Sequence, residues 1–171
     1  MKLNIKEISL FSLLGALMFV LKILMQSLPN IHLLGVFIVS ITVVFRAKAL
    51  IPIYVYVFLD GLFCAFATWW VAYLYIWTIL WALIMILPKN MKQSTALIVY
   101  CAVCCAHGLL FGVFYAPTQA LFYGLDFHGM IAWVGAGFVY DVIHAVSNLL
   151  CTAILFTPLV ALLNRAKKQI S

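Results

Sequence analysis

Long apolar stretches, separated by short polar or proline-containing segments, dominate the pattern of the chain. A helix needs about 20 mostly apolar residues to cross the hydrocarbon core of a bilayer. The pattern therefore predicts an all-α integral membrane protein with six transmembrane helices, over residues 8–28, 31–45, 49–67, 69–87, 95–115 and 138–163. The second helix is only about 22 Å long at 1.5 Å per residue, so we expect it to lie in a thinned or protein-surrounded region.

Prolines and glycines refine these boundaries. Pro117 is expected to end the fifth helix, whereas Pro52 lies in the first turn of the third, where its missing N–H is tolerated. Residues 126–137 predict a short helix on the outer surface, broken near Gly135 and Gly137, ahead of the sixth transmembrane helix.

Composition narrows the class of protein. Hydrophobic residues make up 68% of the chain and charged residues 8%, with a mean hydropathy of +1.21. This excludes a soluble domain, and the six helices occupy nearly all of the chain. We therefore expect one membrane domain over residues 1–171, with no soluble catalytic or ATP-binding domain. The first stretch lacks a small-x-small cleavage site and is interpreted as a retained helix rather than a signal peptide.

The basic residues indicate an orientation. The formal net charge of +6 is dispersed over loops, so it does not predict nucleic-acid binding. With six helices, nine of the ten Lys and Arg residues fall on one side, which is the pattern of cytoplasmic loops. Both termini are therefore predicted to be cytoplasmic in a plasma-membrane protein. The nine are Lys2, Lys6, Arg46, Lys48, Lys89, Lys92, Arg165, Lys167 and Lys168.

A polar stripe crosses the last apolar stretch. Asp141, His144 and Asn148 stand at i, i+3 and i+7, so a helix places them on one face. An ionisable group at the centre of a membrane helix costs roughly 2.5–3.5 kcal/mol on insertion scales, so it usually faces a partner, a cavity or a ligand. The stripe is either a structural hydrogen-bonding seam between helices or the lining of a solute pocket.

Other polar and aromatic residues gather toward the same, outer side of the predicted topology. Each has a structural alternative: Lys22 can snorkel outward or pair with Asp60, His107 can bond a neighbouring helix, and the tryptophans and tyrosines can form an interfacial belt. Their convergence favours a pocket with apolar walls and a few polar groups. The predicted pocket residues are Lys22, Asn30, His32, Asp60, Trp70, Tyr73, His107, Asp141, His144 and Asn148.

Metal and enzyme chemistry have little support. Cys101, Cys104 and His107 lie close together in the fifth helix, but buried free cysteines behave as small hydrophobic residues, so we expect no metal, cofactor or disulfide. Nucleophile, metalloprotease and phosphate-loop motifs are absent. Asp60 and Asp141 raise the alternative of an intramembrane aspartyl dyad, but the Gly-x-Gly-Asp half of that pattern is missing. The chain is therefore not expected to be an enzyme.

Small residues mark sites of close helix packing. The ridge Gly108, Gly112 and Ala116 is expected to pack within the chain, whereas Ser12 and Ala16 on the first helix are candidates for contact with another subunit.

Together these features resemble the substrate-binding S component of an energy-coupling factor (ECF) vitamin transporter. The likeness covers the size of the chain, its six helices, its cytoplasmic termini and the absence of an ATPase motif. Locally, residues 27–32 (SLPNIH) resemble the first external loop of some members. Residues 140–148 (YDVIHAVSN), followed by Pro158-Leu159 and a basic tail, resemble their last helix.

This resemblance implies a bilayer-embedded subunit that binds a water-soluble vitamin or related micronutrient in an outward-facing pocket, with the loop between the first two helices as a lid. It also implies a transmembrane coupling subunit and two ATPase subunits as partners, and toppling of the S component to release its ligand. Ser12 and Ala16 stand where the family usually has an Ala-xxx-Ala contact with the coupling subunit. The sequence does not name the vitamin.

Two other functions remain open. One is a self-contained proton-coupled carrier or channel that uses Asp60, His107, Asp141 and His144 as a relay. The other is a structural membrane subunit without a ligand.

Overall fold

The computed structural model describes residues 3–170, and every regular element in that range is helical. The helices are α1 (Ile5–Leu24), α2 (Leu34–Phe45), α3 (Leu50–Cys64), α4 (Thr68–Ile86), α5 (Gln93–Leu109), α6 (Phe111–Tyr123) and α7 (Phe127–Ile170), with a 3-10 turn at Arg46–Ala49. Within the described range, five helical stretches are long and apolar enough to cross a membrane: α1, α2 joined to α3, α4, α5 joined to α6, and α7.

Contacts between helices give their relative directions. Glu7 pairs with Lys48 near the starts of α1 and α3, and Lys22 pairs with Asp60 near their ends, so these helices run in parallel. The side chain of Asn4 donates to the carbonyl of Ile170, 2.9 Å away, which brings the first and last described helix ends together. We call this side of the bundle the terminal end. The opposite side, where Lys22 pairs with Asp60, is called the cavity end, after the two cavities described below.

The remaining helices alternate in direction. Gly35 lies against Asn148, and Lys167 donates to the carbonyl of Val44 at 2.8 Å, so α2 and α7 run in parallel from the cavity end to the terminal end. Helix α4 runs the same way, while α5 and α6 run antiparallel to α7.

Because α2 runs toward the terminal end and α3 runs away from it, the chain reverses direction between these two helices. The reversal occurs at Arg46, whose backbone has a positive φ of 54° and whose guanidinium donates to the carbonyl of Met85.

Helix α2 is the core of the bundle. All of its residues except Val43 are buried, including the polar Ser40 and Thr42. A helix that is apolar on every side is expected to be surrounded by protein, and α2 contacts helices on several sides. The sequence predicted a short second helix in a thinned or protein-surrounded region, and the structure shows the second of these settings, although α2 begins at Leu34 instead of residue 31. Around it, large apolar side chains such as Phe63, Val139 and Ile154 are exposed, which is typical of a surface that faces lipid.

The predicted end of the fifth helix at Pro117 is wrong. The helix is interrupted earlier, at Leu110, and α6 continues through Pro117 to Tyr123. A proline inside a membrane helix is tolerated where neighbouring groups satisfy the loosened backbone. Here the Tyr75 hydroxyl donates to the carbonyl of Phe114, 2.7 Å away in the turn before the proline.

The predicted break before the last helix is also wrong. Residues 126–137 do not form a separate surface helix, because Phe127–Ile170 is one continuous helix. A Cβ added to Gly135 or Gly137 would meet no neighbouring atom within 4 Å, so both glycines have open space beside them within α7, and Gly135 is exposed. A glycine at such a position costs about 1 kcal/mol relative to alanine, which does not break a long helix with tertiary contacts on both sides.

The continuity of α7 predicts a stabilising substitution. Gly135→Ala is expected to raise the free energy of unfolding by about 0.5–1 kcal/mol, because alanine loses less backbone entropy and meets no atom within 4 Å. Unfolding in mixed detergent and SDS measures the change. A loss of stability would contradict a helical backbone at this position.

Candidate functional site

Two neighbouring cavities lie at the cavity end. The histidine cavity has a volume of about 250 Å³, and the Asp141 cavity about 290 Å³. Asn30 and Phe111 line both of them, so the two cavities meet at these side chains. The remaining lining of the histidine cavity is Lys22, Met25, Gln26, Leu28, Pro29, Ile31, His32, Leu34, Tyr73 and His144. That of the Asp141 cavity is Gly112, Tyr115, Gln119, Trp133, Gly137, Tyr140 and Asp141.

Two imidazoles pack edge to face in the lining of the histidine cavity. The ring centroids of His32 and His144 are 4.5 Å apart, and Phe111 packs against His144 at 4.8 Å. The buried nitrogens His32 Nδ1 and His144 Nε2 have no hydrogen-bond partner among the described residues. Burial lowers the pKa of His32, in the loop before α2, to about 4, so this imidazole is neutral at pH 7. A neutral imidazole has one donor and one acceptor nitrogen, which suits recognition of a polar ring or amide.

The loop at residues 25–33 forms one wall of the histidine cavity. Asn30 has a positive φ of 57°, a conformation that asparagine adopts more readily than most residues. Its side-chain amide donates to the carbonyl of Tyr140, 3.0 Å away on α7. One side-chain hydrogen bond therefore connects the loop to the last helix at the boundary between the two cavities.

An ion pair lies beside the histidine cavity. Lys22 Nζ is 2.7 Å from Asp60 Oδ1, so the pairing considered from the sequence is present. The ammonium also lies 5.5 Å from the centroid of the Trp69 ring. Asp60 is fully buried, and its second carboxylate oxygen, Oδ2, has no hydrogen-bond partner in the described range. Lys22 lines the histidine cavity, whereas Asp60 does not and instead holds the Lys22 ammonium in position.

The Asp141 cavity lies between α6 and α7. Asp141 is 4% exposed, and its Oδ1 accepts a hydrogen bond from the backbone N–H of Gly112 at 3.1 Å. That N–H is in the first turn of α6, where backbone donors lack helical partners, so the carboxylate caps α6. A Cβ on residue 112 would lie 2.4 Å from Asp141 Oδ2, so only glycine leaves room for the carboxylate in this position.

The three members of the polar stripe have different surroundings. His144 and Asp141 line the cavities, whereas Asn148 lies deeper and donates to the carbonyl of Cys104 at 3.1 Å. His107 also lies below the cavities, with Nε2 3.1 Å from the carbonyl oxygen of Ile76. The structural seam and the pocket lining therefore occur together on one helix, at different depths.

Not every predicted pocket residue lines a cavity. Lys22, Asn30, His32, Tyr73 and His144 line the histidine cavity, and Asp141 lines its neighbour. Trp70 instead donates to the carbonyl of Val57 and packs against Gly61, so its role is in the contact between α3 and α4. The side chains of Asp60, His107 and Asn148 also lie outside the linings of both cavities.

The aromatic wall of the Asp141 cavity was not predicted from the sequence. Tyr115 and Trp133 stack with centroids 5.6 Å apart, and Tyr140 completes the wall. Trp133, Gly137 and Asp141 recur every four residues, which places them on one helix face. That signal was present in the sequence, but the expected break near Gly135 and Gly137 separated Trp133 from Asp141.

The predicted partner surface on α1 is accessible. Ser12 is exposed and Ala16 half-buried, whereas Gly15, which lies between them in the sequence, is buried against α3. Comparison of the chain with known family models, curated proteins and solved structures gave no match.

Proposed function

We propose that the chain is the substrate-binding S component of an ECF-type importer, and that it captures a small water-soluble vitamin or related micronutrient. The observation that carries this proposal is the pair of imidazoles, His32 and His144, in a cavity with two buried unpartnered nitrogens among the described residues. Buried polar atoms are normally hydrogen-bonded, and a bound solute would supply the missing partners.

The proposal includes six membrane spans with both termini in the cytoplasm. The hydrogen bonds from Asn4 to Ile170 and from Lys6 to Gln169 favour an even number of spans, because they join the two ends of the described chain. Arg46, Lys48 and Lys167 also bond at the terminal end, which the positive-inside rule assigns to the cytoplasm. Lys2, which contributed to the prediction from sequence, lies outside the described residues. In this orientation both cavities face outward.

Import against a gradient would require partner subunits. A transmembrane coupling subunit would contact the α1 surface around Ser12 and Ala16, and two ATPase subunits would hydrolyse the ATP. The proposed contact agrees with the exposure of Ser12 and with the small side chains at both positions, which allow close approach between membrane helices.

A proton-coupled carrier is the less favoured alternative. Asp60 bonds Lys22, Asp141 bonds the backbone of Gly112, and His107 lies against a backbone carbonyl. These groups therefore have separate partners and do not form a continuous hydrogen-bonded relay in the described part of the chain.

Mass spectrometry of the protein purified alone from rich medium tests the proposal. We expect a stoichiometric organic solute, and His144→Ala is expected to reduce its retention at least about tenfold, because one hydrogen bond and one wall of the cavity are lost. His128→Ala provides a matched control, because His128 is exposed and lines neither cavity.

Thermal unfolding of each variant separates loss of solute from loss of fold. An empty wild-type protein that is not stabilised by any member of a vitamin panel would overturn the proposal. Solute uptake by the chain alone in liposomes, with dependence on a proton gradient, would favour the carrier.

A further inference from the structure

The lining of the Asp141 cavity has a distinctive chemistry. One carboxylate and four aromatic rings contribute to it, and the lining formed by the described residues contains no lysine or arginine. Lys22, which lines the neighbouring histidine cavity, is already paired with Asp60. The rings are Phe111, Tyr115, Trp133 and Tyr140.

The carboxylate retains binding capacity. Oδ1 of Asp141 caps α6, but the buried Oδ2 has no hydrogen-bond partner among the residues that the structure describes. An ionised carboxylate is normally satisfied by several donors or by a cation. The structural role of Asp141 therefore uses one oxygen and leaves the other without a partner in the described part of the chain.

The aromatic wall suits a positively charged organic group. The faces of tyrosine and tryptophan rings carry partial negative charge and attract cations within about 6 Å of the ring centroid. Tyr115 stacks on Trp133 at an interplanar angle of 17°, and the ring centroids of Phe111 and Tyr115 are 6.2 Å apart, so these three rings pack in a row, with Tyr140 also in the lining. Inorganic Mg²⁺ and Ca²⁺ instead require about six or more oxygen ligands, commonly from several carboxylates, whereas this lining has a single carboxylate beside its four aromatic rings.

We propose that the Asp141 cavity binds an organic cation, such as an ammonium or a cationic ring, through Asp141 Oδ2 and the aromatic wall. This inference rests on the proposed function and deepens it, because the cation is one part of the captured solute. Since Asn30 and Phe111 line both cavities, the neutral part of the solute extends past them toward His32 and His144. At about 290 Å³ the cavity accommodates a small organic group.

Equilibrium binding of two small probes of the same shape tests the charge requirement. The probes are choline and 3,3-dimethyl-1-butanol, in which carbon replaces the charged nitrogen, and the protein is held in a maltoside detergent without choline groups. Choline is expected to bind saturably in the millimolar range and at least about tenfold more tightly than the alcohol.

Two variants localise the interaction. Asp141→Asn keeps an oxygen to accept from Gly112 but removes the negative charge, so choline binding is expected to fall at least about tenfold while the thermal stability changes little. Asp126→Asn is the matched control, because Asp126 accepts from the backbone of Gly129 through Oδ1 and lies outside both cavities. It is expected to bind choline as the wild type does.

Three results would overturn the inference: equal binding of the two probes, no saturable choline binding in the millimolar range, or equal binding by Asp141→Asn and wild type. The mass spectrometric experiment distinguishes this failure from that of the proposed function. Retention of a neutral or anionic solute would overturn the cation site and leave the S-component assignment standing, whereas an empty, unresponsive protein would overturn both.

Discussion

Replacement of Lys22 with methionine is expected to lower the free energy of unfolding by about 3 kcal/mol. The substitution keeps most of the side-chain volume but leaves the carboxylate of Asp60 without its cation, and removal of one member of a buried pair typically costs about 3–5 kcal/mol. We place the effect at the lower limit because Lys22 is 21% exposed and Asp60 alone is fully buried.

A double variant distinguishes the loss of the ion pair from a general loss of packing. Lys22→Met combined with Asp60→Asn removes both charges, so most of the lost stability is expected to return. The measurement is unfolding in mixtures of SDS and a maltoside detergent, followed by helical circular dichroism. Equal stability of wild type and Lys22→Met would show that the pair does not stabilise the fold.

Replacement of Gly15 with leucine is expected to cost about 3 kcal/mol, near the upper end of the usual range for an overpacked interface. Even a Cβ at this position would lie 2.5 Å from Val55 Cγ1 and 2.9 Å from the backbone carbonyl of Pro52. The carbonyl oxygen belongs to the backbone of α3 and cannot rotate away, so α1 and α3 must separate.

The control uses an exposed position one turn away on the same helix. Ser12→Leu places the same side chain on an exposed position, so stability is expected to change by less than about 0.5 kcal/mol. If α1 binds the coupling subunit as proposed, Ser12→Leu should nevertheless reduce its co-purification with that subunit. Similar losses of stability in both variants would contradict the placement of Gly15 in the packed interface and of Ser12 on the exposed surface.

The sequence predicted the helical class of the protein well, because apolar stretches separated by polar segments are a strong signal. The short length of the second apolar stretch, residues 31–45, predicted a helix in a thinned or protein-surrounded region, and α2 is surrounded by protein. Helix ends were less predictable. The effect of Pro117 depends on whether another helix offers a hydrogen bond, and the bond from Tyr75 cannot be inferred from the spacing within one helix.

The candidate site was predictable only in part. The spacing of Asp141 and His144 placed them on one face, and both line cavities. The depth of a residue along a helix can be read from the sequence, but its contacts with a neighbouring helix cannot. Asn148 and His107 were therefore predicted as pocket residues, although they bond backbone carbonyls below the cavities. Phe111 was overlooked because a phenylalanine in an apolar stretch carries no signal of its own. Whether the predicted residues bind a ligand remains a prediction.

The unbroken course of α7 links the two ends of the bundle mechanically. Asp141 at the cavity and Lys167, which bonds the carbonyl of Val44, are separated by about 39 Å along one helix. A tilt of about 5° at one end would displace the other by roughly 3 Å over that length. The helix stays continuous through Pro158, which lies between these two residues. Under the proposed function, a ligand that draws α7 toward α6 would therefore also displace the helix where it bonds α2 at the terminal end.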